Sequence, residues 1–221
     1  MNTHLRDDRG FTLVELAVVM VIIGLLIGGI LKGQEMIENA RVNSMITQTK
    51  AINAATSTFQ DMYDALPGDM NDANTRLPGT PGNGGGNNHL ETAPFVTPTG
   101  DGLLFFPHLE AADLLSTTAT TLGVEADIRG VEITAGELAA SAAIGLATSA
   151  RSGRYLTINA EGNAATVGLT PLQAGRVDRK LDDGDPTTGS VFGDGGATCG
   201  AAGGYVEMSD SVLCGLAVRM D

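Results

Sequence analysis

The sequence predicts an α+β domain carried on a long N-terminal helix, with the helix packed on a mainly antiparallel sheet. Three observations predict it. No proline occurs before Pro67, so nothing interrupts a single helix from Phe11 to about Asp64. That run is apolar all round as far as Leu31 and amphipathic beyond it. Further along, short alternating stretches bounded by glycine, proline and aspartate read as strands.

At about 1.5 Å per residue the first helix would reach about 80 Å. Its stretch from Phe11 to Leu31 is long enough to cross a hydrocarbon core of roughly 30 Å. Gly24 and Gly28, and again Gly29 and Gly33, stand four apart, a spacing that lets helices approach closely, or that merely loosens the helix. In the second half Met45, Ile52, Phe59 and Leu66 recur every seventh residue, with Ala55, Met62 and Tyr63 on the same face, a stripe suited to packing on a sheet. Ala65-Leu66-Pro67-Gly68 ends the helix.

From Asp69 to about Asn88 the chain reads as an exposed loop. Its glycine run superficially suggests a phosphate-binding loop, but Asn87-Asn88-His89 supplies no lysine followed by Ser or Thr. A short helix is expected from Pro107 to about Leu115, with Leu109 and Leu114 or Leu115 inward. Arg154 to Ala160 alternates as a strand, and Thr166 to Leu169 is expected to pair with it. Thr170-Pro171 gives an N-cap and a first-turn proline for a helix that Leu172, Val177 and Leu181 would pack and Gly184 would end. Val191-Phe192, Tyr205 to Met208 and Val212 to Val218 are the remaining strand candidates.

One residue in the apolar run is out of place. Glu15 is its single acid, and a carboxylate at membrane depth costs up to about 3 kcal/mol on insertion scales and needs a partner. Cleavage between Gly10 and Phe11 would place a new α-ammonium one helical turn away, and the helix N-terminus also favours the negative charge. A secretory signal peptide fits poorly, because the run is long and passes into Lys32-Gly33-Gln34-Glu35-Met36 without a small-residue cleavage site.

The stretch Arg9-Gly10-Phe11-Thr12-Leu13-Val14-Glu15-Leu16 resembles the class III signal of type IV prepilins and of the pseudopilins of type II secretion systems. The resemblance implies cleavage after Gly10 by an inner-membrane prepilin peptidase, N-methylation of Phe11, and pairing of Glu15 with the N-terminal amine of a neighbouring subunit during assembly. The leader departs from the family in carrying Asp7 and Asp8 beside Arg6 and Arg9, where such leaders are usually more basic.

The resemblance also implies a pilin-like fold and compartment. Cys199 and Cys214, the two cysteines, would face the periplasm or the exterior, where a disulfide is expected. A disulfide-bounded C-terminal loop is frequent in type IV pilins. Residues 1–10 are read as the leader, 11–32 as the transmembrane or filament-core helix, 33–66 as its amphipathic half and 67–221 as the globular head.

The formal net charge of −13 disfavours nucleic-acid binding, and Arg151, Arg154, Arg176, Arg179 and Lys180 read as a solvated surface. Asp182, Asp183 and Asp185 cluster around Gly184 and are candidate calcium ligands, or a polar turn. Their spacing is not that of an EF-hand, and the Asp-Pro-Trp-Gly stretch of calcium-binding pseudopilins is missing. No cofactor is otherwise expected. His89 and His108 have no ligand-spaced partner, and no nucleophile elbow occurs, so intrinsic catalysis is not expected.

The expectation is a structural subunit of a type IV pilus-like filament, with a secretion pseudopilin as the alternative and a DNA-uptake pilin less favoured. Its partners would be copies of itself and other pilins, prepilin peptidase, an inner-membrane assembly platform and, before assembly, membrane lipid. It would sit in the bacterial inner membrane and then in an extracellular pilus or a periplasmic pseudopilus.

Overall fold

A computed structural model describes residues 11–79, 81–116, 122–138, 144–147, 151–160 and 168–220. The uninterrupted helix forms as the sequence predicts, with α1 spanning Leu13–Tyr63. It is followed by α2 (Ala73–Arg76), α3 (Asp101–Ala111), β1 (Val124–Glu125), β2 (Val131–Leu138), β3 (Gly153–Ala160) and α4 (Pro171–Leu181). Then come β4 (Val191–Asp194), a 3-10 turn at Gly196–Thr198, β5 (Gly200–Ala201), β6 (Gly204–Tyr205) and β7 (Gly215–Arg219). The chain divides into two compact units, Met1–Ala40 and Arg41–Asp221.

In the second unit five strands form an antiparallel sheet in the order β1-β2-β3-β7-β4. One face supplies Ile133, Leu156, Ile158 and Leu216 to the main core, where Val42, Met45, Ile52 and Phe59 of α1 join them. The heptad stripe is therefore buried as expected, each large apolar side chain contributing roughly 1.5–3 kcal/mol. Met62 is the exception, being 57 % exposed near the helix end. The other sheet face carries a smaller cluster of Tyr155, Phe192 and Ala217, covered by Ile144, Ala147 and Phe95.

The helix stop is built from backbone geometry. Asp64 takes a left-handed conformation just after α1, and Gly68 follows at φ 88°. A Cβ on Gly68 would stand 2.2 Å from the Asp101 carbonyl oxygen, so only glycine lets the chain pass there.

Several elements differ from expectation. The segment after α1 is not a purely exposed loop: Asp69, Met70, Ala73 and Leu77 are buried, and α2 forms inside it. Helix α3 starts well before Pro107 and carries that proline in its interior. Pro107 gives up the N–H that would bond the Leu103 carbonyl, a cost of about 3 kcal/mol. Burial of Phe105, Phe106, His108 and Leu109 on the same helix offsets it. Leu114 and Leu115 pack against the core from beyond the helix end.

Strand β3 forms as expected, but its neighbours are β2 and β7. Residues 161–167 lie outside the described set, and Leu169 bridges Cys214 rather than β3. The strand expected at Tyr205–Met208 shortens to β6, and the last one begins at Gly215. Helix α4 starts where Thr170 and Pro171 place it, through a full capping box between Thr170 and Gln173. Leu172 is only half-buried, whereas Ala174 and Val177 face the core.

Candidate assembly site

Glu15 has a partner within its own helix. The Thr12 N–H and the Thr12 hydroxyl both donate to Glu15 Oε2, each at 2.8 Å, and the Glu15 N–H donates back to Thr12 Oγ1 at 3.3 Å. This reciprocal arrangement is a capping box that satisfies donors at the start of α1. It fixes the carboxylate in the first turn, beside Phe11, which is 83 % exposed. Among the described residues no cation pairs with Glu15, and its Oε1 has no hydrogen bond. Thr12 is a site residue that sequence reasoning missed. Its signal was legible, since threonine three residues before glutamate and ahead of an apolar run is the capping-box pattern.

The rest of the segment presents hydrocarbon to its surroundings. The apolar window of α1 has none of its residues buried, and its length and composition suit a membrane crossing. Phe11, Val14, Glu15, Leu16, Val18 and Val19 line a shallow depression of about 550 Å³. The space a Cβ would take on Gly24, Gly28, Gly29 or Gly33 is open. Gly10 and the leader lie outside the described residues.

At the other end of the chain, Cys199 and Cys214 form a disulfide across a sequence separation of 15, with Cα atoms 5.1 Å apart. The enclosed segment holds the β5–β6 pair and the fully exposed Met208. It is tied to α4 by two contacts. The Tyr205 hydroxyl donates to Asp178 Oδ2 at 2.8 Å, and Arg179 pairs with Glu207.

Burial pushes Asp178 up to about 6 and raises the Tyr205 hydroxyl well above its ordinary value. Asp178, Asp182 and Asp183 bring carboxylate oxygens within 4.8 Å of one another, a group that does not include Asp185. These acids also staple the local chain. Asp182 accepts from the Ser190 and Val191 N–H groups, Asp183 from the Asp185 N–H and the Thr188 hydroxyl, and Asp185 from Thr187 and Gly203. Hydrogen bonds to the Thr187 hydroxyl and to backbone N–H groups hold Asp185 below the usual carboxylate range.

Residues 5–31 match the prokaryotic N-terminal methylation motif, the signal of prepilins. Together with the α+β, pilin-like fold, that motif supports a type IV pilin-like or pseudopilin precursor, a class of structural subunits rather than enzymes. It implies processing by prepilin peptidase, assembly into a filament and anchoring through the apolar helix. No curated protein matches the chain.

Proposed function

We propose that the chain is cut behind Gly10, methylated on Phe11 and polymerised as a structural subunit of a surface type IV pilus. The observation that carries this reading is the uncovered apolar length of α1 with one carboxylate, Glu15, pinned in its first turn. Such a helix is stored in the inner membrane and repacks on other helices in a filament core, where apolar burial is regained. The Thr12 cap occupies Glu15 Oε2, so Oε1 is open to the α-amine of a neighbouring Phe11. The 1–10 leader, the filament-core helix to residue 32, the amphipathic half to 66 and the head from 67 then have separate tasks.

The disulfide-closed segment with its exposed Met208 supports display on a surface filament over a periplasmic pseudopilus. The role is mechanical and adhesive, with no catalytic step. The net charge of −13 argues against a DNA-uptake role. So does the engagement of Arg179 by Glu207 and of Lys180 by Asn43.

The test is intact-mass and N-terminal analysis of material sheared from the native cells beside their washed envelope. Abundant sheared protein starting at N-methylated Phe11 is the expected result. The same form confined to the envelope would point instead to a secretion pseudopilin or a scarce minor pilin, and an uncut chain would overturn the reading altogether.

A further inference from the structure

Acids outnumber bases 26 to 13 along the chain, yet one cleft in the head is lined by cations. Its larger part, about 1090 Å³, lies between β4, the disulfide loop and the end of β7, with Arg151 and Arg219 on its wall. A smaller part of about 200 Å³ shares Ser190 and Arg219 with it and reaches Lys50 of α1. Among the described residues none of these three cations forms an ion pair. Asp182 is the one acid among the described lining residues, and its Oδ2 already accepts from the Ser190 and Val191 N–H groups.

Tyr155 anchors the backbone at both arginines of the larger part. It is fully buried, stands opposite Arg219 in the β3–β7 register, and donates its hydroxyl to the Arg151 carbonyl at 2.6 Å. The Arg219 guanidinium lies beside Gly153, its Nε 3.4 Å and its Nη2 3.7 Å from the point a Cβ there would take. The Arg219 N–H donates to the Ser190 carbonyl at 2.9 Å, which ties the strand end to the cleft wall. Burial raises the Tyr155 hydroxyl above its ordinary value, against the opposing pull of Arg219 and Arg151, so both positive charges act at one spot. Two arginines without acids in a concave site suit an oxyanion, because a guanidinium holds a carboxylate through two parallel N–H bonds.

We propose that this cleft binds an acidic saccharide, a chain of carboxylate-bearing sugars, with Arg151 and Arg219 taking its carboxylates and Lys50 extending the positive track. Thr187, Thr188 and Ser190 supply hydroxyl groups for the sugar hydroxyls, and Leu146, Ala197 and Ala201 supply apolar surface for the C–H faces of the rings. The volume stands at the upper end of the roughly 300–1,000 Å³ of ligand clefts. A nucleic acid is the poorer fit. Duplex phosphates bring one charge per about 1.7 Å, which a chain of net charge −13 repels. Phe192, the one aromatic among the described lining residues, is 3 % exposed and offers no face for stacking bases. The saccharide is the adhesive target that a surface filament needs, and for that setting the inference rests on the pilus reading; the cleft itself belongs to the head alone.

The test is calorimetric titration of the mature full-length chain in nonionic detergent micelles with trigalacturonic acid, beside its trimethyl ester, inorganic phosphate and oligothymidylate. One saturable site for the acid is expected, with Kd below about 1 mM and weakening as sodium chloride rises. The ester keeps the sugar and loses the charge, so it should bind at least about tenfold more weakly. Arg151→Gln and Arg219→Gln should each weaken the acid by about tenfold or more, and Lys50→Gln by about twofold to fivefold, with circular dichroism showing the fold retained. Arg129→Gln, the same change between β1 and β2 toward the opposite edge of the sheet, should leave binding unchanged. No saturable binding of the acid, equal binding of the ester, wild-type affinity in both arginine variants, equal loss in Arg129→Gln, or tighter binding of phosphate or oligothymidylate would overturn the proposal. Because the titration uses purified protein, it can fail while the sheared-protein test succeeds, and the reverse.

Discussion

The Tyr205 hydroxyl donates to the buried carboxylate of Asp178 at 2.8 Å, so a residue inside the disulfide loop is held by a charge that its own surroundings disfavour. Asp182 and Asp183 press in the same direction, while Tyr205 and the Gly184 N–H oppose them. Because the folded pKa is raised to about 6 from 3.8, the folded chain keeps its proton longer than the unfolded one as pH rises. The contribution of Asp178 to stability therefore falls from about pH 4 to about pH 6. Thermal unfolding of Asp178→Asn across that window should show a flatter pH profile than wild type, since asparagine can still bond Tyr205 without ionising.

His108 should act with the opposite sign. Its Nδ1 accepts from the Gly68 N–H at 2.9 Å, so its Nε2 carries the proton and donates to the Gly82 carbonyl at 3.0 Å. Burial holds its pKa below the ordinary histidine value, so stability is lost as pH falls below about 6.5. His108→Ala breaks both bonds and opens a cavity at a fully buried site, which should cost about 2–4 kcal/mol in denaturant unfolding. It should also speed proteolysis at Gly82–Asn88.

Replacing Cys199 and Cys214 together by serine should lower stability by about 3 kcal/mol for a loop of this length. Reductant should produce the same loss in wild type and none in the double variant. A matching comparison of unfolding midpoints checks both.

Glu15→Ala should leave cleavage largely intact and reduce filament yield, measured as sheared protein. Thr12→Ala removes the helix cap, at about 1 kcal/mol, and leaves the carboxylate in place, so its yield should fall less. A bulky residue at Gly10 should instead block processing, seen as a mature N-terminus that never appears. Normal filament yield from Glu15→Ala would remove its docking role.

The two ends of the chain were the legible parts. Phe11 to about Asp64 announces its helix because no proline interrupts an apolar run that passes into an amphipathic one, and Thr170-Pro171 announces α4 through cap chemistry. Strand β2 also left a legible signal yet escaped notice: Val131, Ile133 and Ala135 alternate with Glu132, Thr134 and Gly136, the period of a strand, and burial of both faces places Glu132 and Thr134 inside as well. The Thr134 and Thr157 hydroxyls bond across the β2–β3 register there. Helix α3 was misplaced because Pro107 reads as a start, whereas the true start at Asp101 depends on Gly68 and Gly85, both distant in sequence. The capping box at Thr12 was written plainly but overshadowed by the charge of Glu15.

The doubly covered sheet has a mechanical meaning for a polymer. Main-core side chains wall one face, and among the described residues Phe95, Ile144 and Ala147 cover Tyr155, Phe192 and Ala217 on the other, so that part of the sheet is not free to stack flat against a second head. Through that covered patch, a filament of such heads would not grow as a laminate. Lateral cohesion would then pass through loops and strand rims, where single-residue changes would alter grip between subunits without disturbing the interior.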